Sequence, residues 1–233
     1  MFGRRISFQI FSIFLFLVVI LVIFAGNRAI TVISEGLPIK REQCIIIDAG
    51  HGGVDGGATS CTGKLESGLN LEIALRLNDL FHLLGYETRM IRTTDISIHT
   101  KGETIAQKKV SDLKERVRIC NDTENAILLS IHQNNFTDSR YSGAQVFYSN
   151  QDESRQLAEN LQTNFRETLN PGSKRQVKKG NGIYLLEHIT CPGILIECGF
   201  LSNHEEEAKL RNSDYQQKLC CVIVSGVTNF LDG

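Results

Sequence analysis

Two histidines and a small set of carboxylates carry the chemistry open to this chain. His51 lies in Asp48-Ala-Gly-His51-Gly-Gly, His132 in Ser130-Ile-His132-Gln-Asn134, and Glu197 in Glu197-Cys-Gly-Phe200. Each segment follows a short apolar run, so all three are expected at strand ends. Glycines at 50, 52 and 53 leave the backbone around His51 free for positive φ and for close approach of a ligand. A lone histidine is more often a simple hydrogen-bonded residue, and His132 alone reads as one that caps its strand. Two on separate strand ends make a pair fit for a metal. Zinc hydrolases commonly use two histidines, one carboxylate and a water. The third ligand is then sought near the start of the helix after His51, where Glu66 and Glu72 stand. Glu66 is preferred on position, since Glu72 lies between core positions Leu71 and Ile73 and faces solvent.

Glu197 follows the apolar run Gly193–Ile196. A carboxylate there is costly to bury without a partner or a task. Its bland role is a salt bridge to Arg116 or Arg175. Its chemical role is a general base that moves the proton of a metal-activated water. Cys198 offers a rival, a thiol nucleophile. Neighbours along a strand point to opposite faces, so if Glu197 faces a crevice, Cys198 faces the core. His82, His99, His188 and His204 lie in helix or loop settings without glycine cradles and read as bland.

The elements that must position these groups alternate. Strands are expected at Cys44–Ile47, Glu87–Arg92, Ala126–Ile131, Ala144–Tyr148, Ile183–Leu186 and Gly193–Ile196. Helices are expected at Leu69–Leu84 (closed by Gly85), Leu113–Cys120, Glu153–Leu169 and Tyr215–Leu231. The pattern implies an α/β fold with helices on both faces of a mostly parallel sheet. In such sheets, sites collect past the carboxyl ends of the strands.

With 233 residues, 42% hydrophobic and 22% charged, the chain has the composition of a globular protein. A net charge of −1, with both signs mixed along the chain, gives no basic field for nucleic acid. Arg4 and Arg5 precede an apolar run from Ile6 to Ala25, long for a signal peptide and long enough to span a bilayer. The expected organisation is a signal peptide or membrane anchor over 1–26, a linker over 27–43 and one catalytic body over 44–233. Positive charge ahead of the run places the body outside the cell. The odd count of seven cysteines, without regular spacing, does not read as a disulfide framework. Cys44 and Cys198 are expected as small buried hydrophobes.

Six ordered segments then carry a resemblance: "IIIDAGHGGVDGGA", "LESGLNLEIALRL", "DLKERVRICN", "LLSIHQNN", "SGAQVFY" and "PGILIECGFLSN". Together they resemble the zinc-dependent N-acetylmuramoyl-L-alanine amidases over essentially the whole body. The resemblance implies a mixed sheet of about six strands between helices. It also implies one Zn2+ on His51, Glu66 and His132, with Glu197 as catalytic glutamate, which settles Glu66 over Glu72. The implied substrate is the peptidoglycan glycan strand with its stem peptide. The stretch "TKGETIAQKKVSDLKERV" before Arg116 looks like an insertion of the germination-specific sporulation type. That type implies removal of stem peptides from spore cortex, ahead of conversion to muramic-δ-lactam by a separate deacetylase.

Two departures stand out. The family's usual "DPGHGG" is "DAGHGG" here, and Ser67-Gly68 replaces a charged pair after Glu66. Glycine weakens a helix start by up to about 1 kcal/mol relative to alanine. A looser metal loop is expected, with modest zinc affinity and an activating protein partner to firm it. Two rivals remain: a catalytically idle wall-binding protein on the same fold, and a zinc carboxypeptidase on stem peptides. The second usually pairs histidine and glutamate three residues apart, whereas His51 and Glu66 are fifteen apart.

Overall fold

The computed structural model describes residues 42–232. The expected anchor over 1–26 and nearly all of the linker lie outside the described residues. Among the described residues, no helix is long and apolar enough to cross a membrane.

The chain order is β1 (Cys44–Ala49), α1 (Glu66–Leu83), β2 (Glu87–Met90), α2 (Ile105–Asn121), β3 (Ala126–Asn134) and β4 (Gln145–Tyr148). There follow α3 (Ser154–Thr168), β5 (Lys178–Lys179), α4 (Tyr184–His188), β6 (Gly193–Phe200), α5 (His204–Leu210) and α6 (Ser213–Leu231). The six strands form one sheet in the order β2-β1-β3-β6-β4-β5. All neighbours are parallel except β4 and β6. This is the single α/β domain with a mixed, mostly parallel sheet that the sequence predicts.

Strand alternation sorts side chains onto two faces. Ile45, Ile47, Ile131, Ile194, Ile196 and Cys198 join the core under α1, α3 and α6. Ile46, Leu128 and Leu195 face the smaller core under α2 and α4. Asp48, Ser130, His132 and Glu197 continue this second face toward the carboxyl ends, where apolar side chains give way to polar ones. Along α1, Leu69, Ile73, Leu77 and Phe81 recur every fourth residue and are all buried. Each such side chain contributes about 1.5–3 kcal/mol by leaving water.

Three expectations need correction. Ile183–Leu186 is no strand: Tyr184–His188 is a short helix that sets Leu185 and Leu186 into the second core. A four-residue apolar run has too little length to separate the two periods, and Gly182 at φ 79° turns the chain just before it. The helix expected at Leu113–Cys120 begins at Ile105, where Thr104 and Gln107 form a reciprocal capping box. Strands β3 and β6 also run past Ile131 and Ile196, so His132 and Glu197 are paired strand residues and do not follow their strands. Helix α5 and the two-residue β5 lie in stretches where the sequence predicts no element.

Two buried arginines tie the upper end of β1 together. Arg116 bonds Asp48 and Asp112 and donates to the carbonyls of Ala49 (3.1 Å) and His51 (2.7 Å). Arg92 donates to the carbonyls of Ala49 (2.8 Å), Gly50 (3.0 Å) and Ser67 (2.8 Å). Asp48 also accepts from Ser130 on the next strand at 2.6 Å. Burial opposes its charge, but Arg116 and Ser130 outweigh it and hold the carboxyl below its ordinary range. The expected looseness from the missing proline thus meets a clamp of two guanidiniums. Removing one partner of a buried pair strands the other, so Arg116→Ala is expected to destabilise the protein by about 3–5 kcal/mol, read as a lower urea midpoint.

Candidate active site

The loop after β1 turns sharply at His51, whose φ is +61°. This left-handed conformation is uncommon outside glycine and marks local strain held by surrounding structure. Here the Arg116 bond to the His51 carbonyl supplies that hold. The preceding residue must be glycine for a different reason. A Cβ on Gly50 would lie 2.2 Å from His132 Nε2, so any side chain there displaces the second histidine.

Helix α1 has no side-chain cap. Its first two N–H groups, of Glu66 and Ser67, instead donate to the carbonyls of Ala58 (2.9 Å) and Gly56 (3.1 Å). The glycine loop therefore docks onto the helix start and carries Glu66 into the crevice. Glu66 is buried. Its Oε2 accepts from Ala58 N at 3.0 Å and lies 3.2 Å from His51 Nε2. Its Oε1 accepts from Gln133 N (3.1 Å) and Asn70 Nδ2 (3.2 Å), and lies 2.9 Å from His132 Nδ1. The two histidine rings meet edge-on, with centroids 4.9 Å apart.

The three side chains offer ligand atoms all within 4.8 Å of one another. Two zinc bonds of about 2.1 Å each span at most about 4.2 Å between ligands, so this set would hold one ion after drawing in by a few tenths of an ångström. The site's own field asks for positive charge. Burial opposes the charge of Glu66, yet hydrogen bonds from His132 and His51 pull its carboxyl well below the ordinary range. Burial likewise opposes charge on His51, but Glu66 and then Asp55 raise it to about 9.

Glu197 sits beside the cluster in register with His132, and its side chain shares that face. Neither Arg116 nor Arg175 pairs with it: Arg116 is taken by Asp48 and Asp112, and Arg175 by Ser142, Gln145 and the Phe200 ring. Its Oε2 is buried without a hydrogen-bond partner. Burial is the main reason its carboxyl rises to about 7 in the metal-free site. Cys198 points the other way into the main core, and burial pushes its thiol well above the ordinary value. A thiol in the core cannot reach the crevice. Glu72 is exposed on α1 and accepts from Gln216 at 2.8 Å, away from the histidines.

Two members of the site escape the sequence reading. Asp55 bonds His51 Nδ1 at 2.9 Å, and Lys109 of α2 bonds Asp55 at 2.7 Å. The signal for Asp55 was its place four residues past His51 in the same glycine loop. Lys109 lies on another element, and local pattern gives no sign of it.

The profile of the N-acetylmuramoyl-L-alanine amidase family matches residues 45–229. The germination-specific N-acetylmuramoyl-L-alanine amidase of Bacillus subtilis is 37% identical over 197 residues, spanning 83% of this chain and 81% of that protein. Among solved structures, the CwlD amidase of Clostridioides difficile in complex with the GerS lipoprotein is 36% identical with a TM-score of 0.78, covering 82% of this chain and 99% of that one. An N-acetylmuramoyl-L-alanine amidase from Clostridium difficile 630 is 33% identical with a TM-score of 0.71, covering 82% of this chain and 97% of its own.

An unpartnered acid held for chemistry should weaken the fold once ionised. The raised Glu197 keeps its proton in the folded state between about 4.5 and 7, where the unfolded chain has lost it, so its contribution to stability falls as pH rises through that window. In chelator-treated protein, Glu197→Gln is therefore expected to unfold at a higher temperature than the parent at about pH 8. The two should converge near about pH 4, where both side chains are neutral. A melting series over pH checks this.

Proposed function

The chain belongs to the N-acetylmuramoyl-L-alanine amidase family, and from that membership we propose that it hydrolyses the amide between N-acetylmuramic acid and L-alanine with His51, Glu66 and His132 holding one zinc ion and Glu197 moving the proton. The observation that carries this reading is the ligand set within 4.8 Å beside the unpartnered Oε2 of Glu197. Bound zinc supplies a Lewis acid that lowers the pKa of a coordinated water to near neutrality and polarises the scissile carbonyl.

The chain's own residues do the rest. Asp55 takes the Nδ1–H of His51, which leaves the Nε2 lone pair for the metal and fixes the ring. The backbone N–H groups of Ala58 and Gln133 orient the Glu66 carboxylate. Glu197 accepts the proton of the water that attacks the lactyl carbonyl, then delivers it to the departing alanine nitrogen. Its burial without a hydrogen-bond partner on Oε2 leaves that oxygen free to take the proton.

The germination-specific relative supports spore cortex peptidoglycan as the substrate, with peptide removal on the route to muramic-δ-lactam. The apolar run at 6–25 supports an exported protein held at a membrane or released from it, with the linker over 27–43 and the catalytic body over 44–233. CwlD in complex with a lipoprotein, together with Gly68 at the start of α1, supports an activating protein partner here.

Three outcomes test the proposal. Glu197→Gln should lower turnover by at least about 100-fold while metal content by emission spectroscopy stays near one zinc per chain. Chelation should abolish release of peptides that begin with L-alanine, and zinc should restore it, as followed by mass spectrometry. Titration of the purified body should give zinc affinity weaker than nanomolar; sub-nanomolar binding would remove the need for a partner.

A further inference from the structure

Arg175 has no part in the chemistry above, yet it is held in place beside it. Gln145 on β4 is the antiparallel register partner of Glu197. Directly opposed residues share a face, with Cβ atoms about 5 Å apart. Gln145 is buried, and its Oε1 accepts from Arg175 Nη1 at 3.4 Å. Arg175 Nε donates to the Ser142 carbonyl at 2.9 Å, and the guanidinium lies 4.8 Å over the Phe200 ring. Phe200 belongs to the same neighbourhood because the register shifts between His132 and Asn134. Three residues of β6 span two of β3 there, which brings Phe200 level with Asn134. Tyr141 stacks on Phe200 and meets Phe136 edge-on, so the arginine sits against a short aromatic wall.

Among the described residues, no carboxylate pairs with Arg175. The side chain is half-buried and lines a cavity of about 1070 Å³ that also holds Lys174, Lys178 and Lys209. Two acids also line the cavity: Glu205 is exposed, and Glu206 accepts from Gly143 N at 2.8 and 2.9 Å and from Phe200 N at 3.0 Å. A stacked guanidinium with its rotamer already set and donors to spare suits bidentate capture of a carboxylate, since less freedom is lost on binding.

Building on the amidase reading, we infer that Arg175 is a specificity-determining residue that binds a free carboxylate on the residue following L-alanine in the departing stem peptide. The reach is right. Glu197 protonates the alanine nitrogen, and the next residue of an extended peptide begins about 3.5 Å further on. Gln145 stands one strand spacing of about 4.8 Å from Glu197, and the guanidinium donates to its Oε1.

The test uses two synthetic muramoyl peptides, alike except that the residue after L-alanine carries a free α-carboxylate in one and a primary amide in the other. The zinc-loaded parent is expected to prefer the acid by about tenfold in kcat/KM. Arg175→Gln should bring that preference to near one, with the change carried by KM for the acid and not by kcat. Arg175→Lys, which keeps charge without the planar fork, should recover part of it. A parent that does not discriminate, or a preference that survives Arg175→Gln, overturns the inference. Failure of the amidase reading looks different, since neither substrate would then release a peptide with a free L-alanine amino group.

Discussion

The buried guanidinium of Arg116 is the constraint on which the rest of the site depends. A cation under the end of β1 is tolerable only if it is paired and its donors are used. Asp48, Asp112 and the carbonyls of Ala49 and His51 do both. The same bonds draw together β1, α2 and the loop that carries His51. Arg92 adds a second guanidinium, which bridges that loop to the start of α1 through Gly50 and Ser67. Two arginines and two aspartates balance in charge and cross-link the polar end of the sheet without a proline in the loop.

Against that frame the two glutamates of the site live in opposite surroundings. Glu66 accepts hydrogen bonds from two backbone N–H groups and an asparagine, and lies against both histidines, so it stays ionised. Glu197 stands one strand away with a buried oxygen that nothing satisfies, and it holds its proton more tightly. Environments that push two acids apart in this way assign them different roles. One is suited to bind a cation; the other is suited to carry a proton.

The second row of the site, formed by Gln145, Arg175 and Phe200, depends on the single antiparallel strand. Because β4 runs against β6, Gln145 stands level with Glu197 and the chain returning through residues 169–178 passes beside it. The register shift near Asn134 then turns Phe200 toward the arginine. Sheet topology thus decides what lies beside the reacting bond.

Much of this was legible in the chain itself. The glycine-flanked His51, the apolar runs before His132 and Glu197, and the alternation that sends Cys198 into the core are local patterns with periods of two residues or with fixed turns. They point to the fold class, most strands, and His51, His132 and Glu197; Glu66 over Glu72 rests on the family resemblance. What they could not place were contacts between elements: Lys109 reaching Asp55, Arg92 and Arg116 clamping the loop, Glu197 left without either arginine, and Arg175 beside Gln145. The helix at 184–188 escaped for a related reason, since four apolar residues satisfy either period until packing chooses one. Side-chain identity and spacing determine which groups stand at the end of a strand. Which of them meet is decided only when register and crossing direction bring distant strands into one sheet.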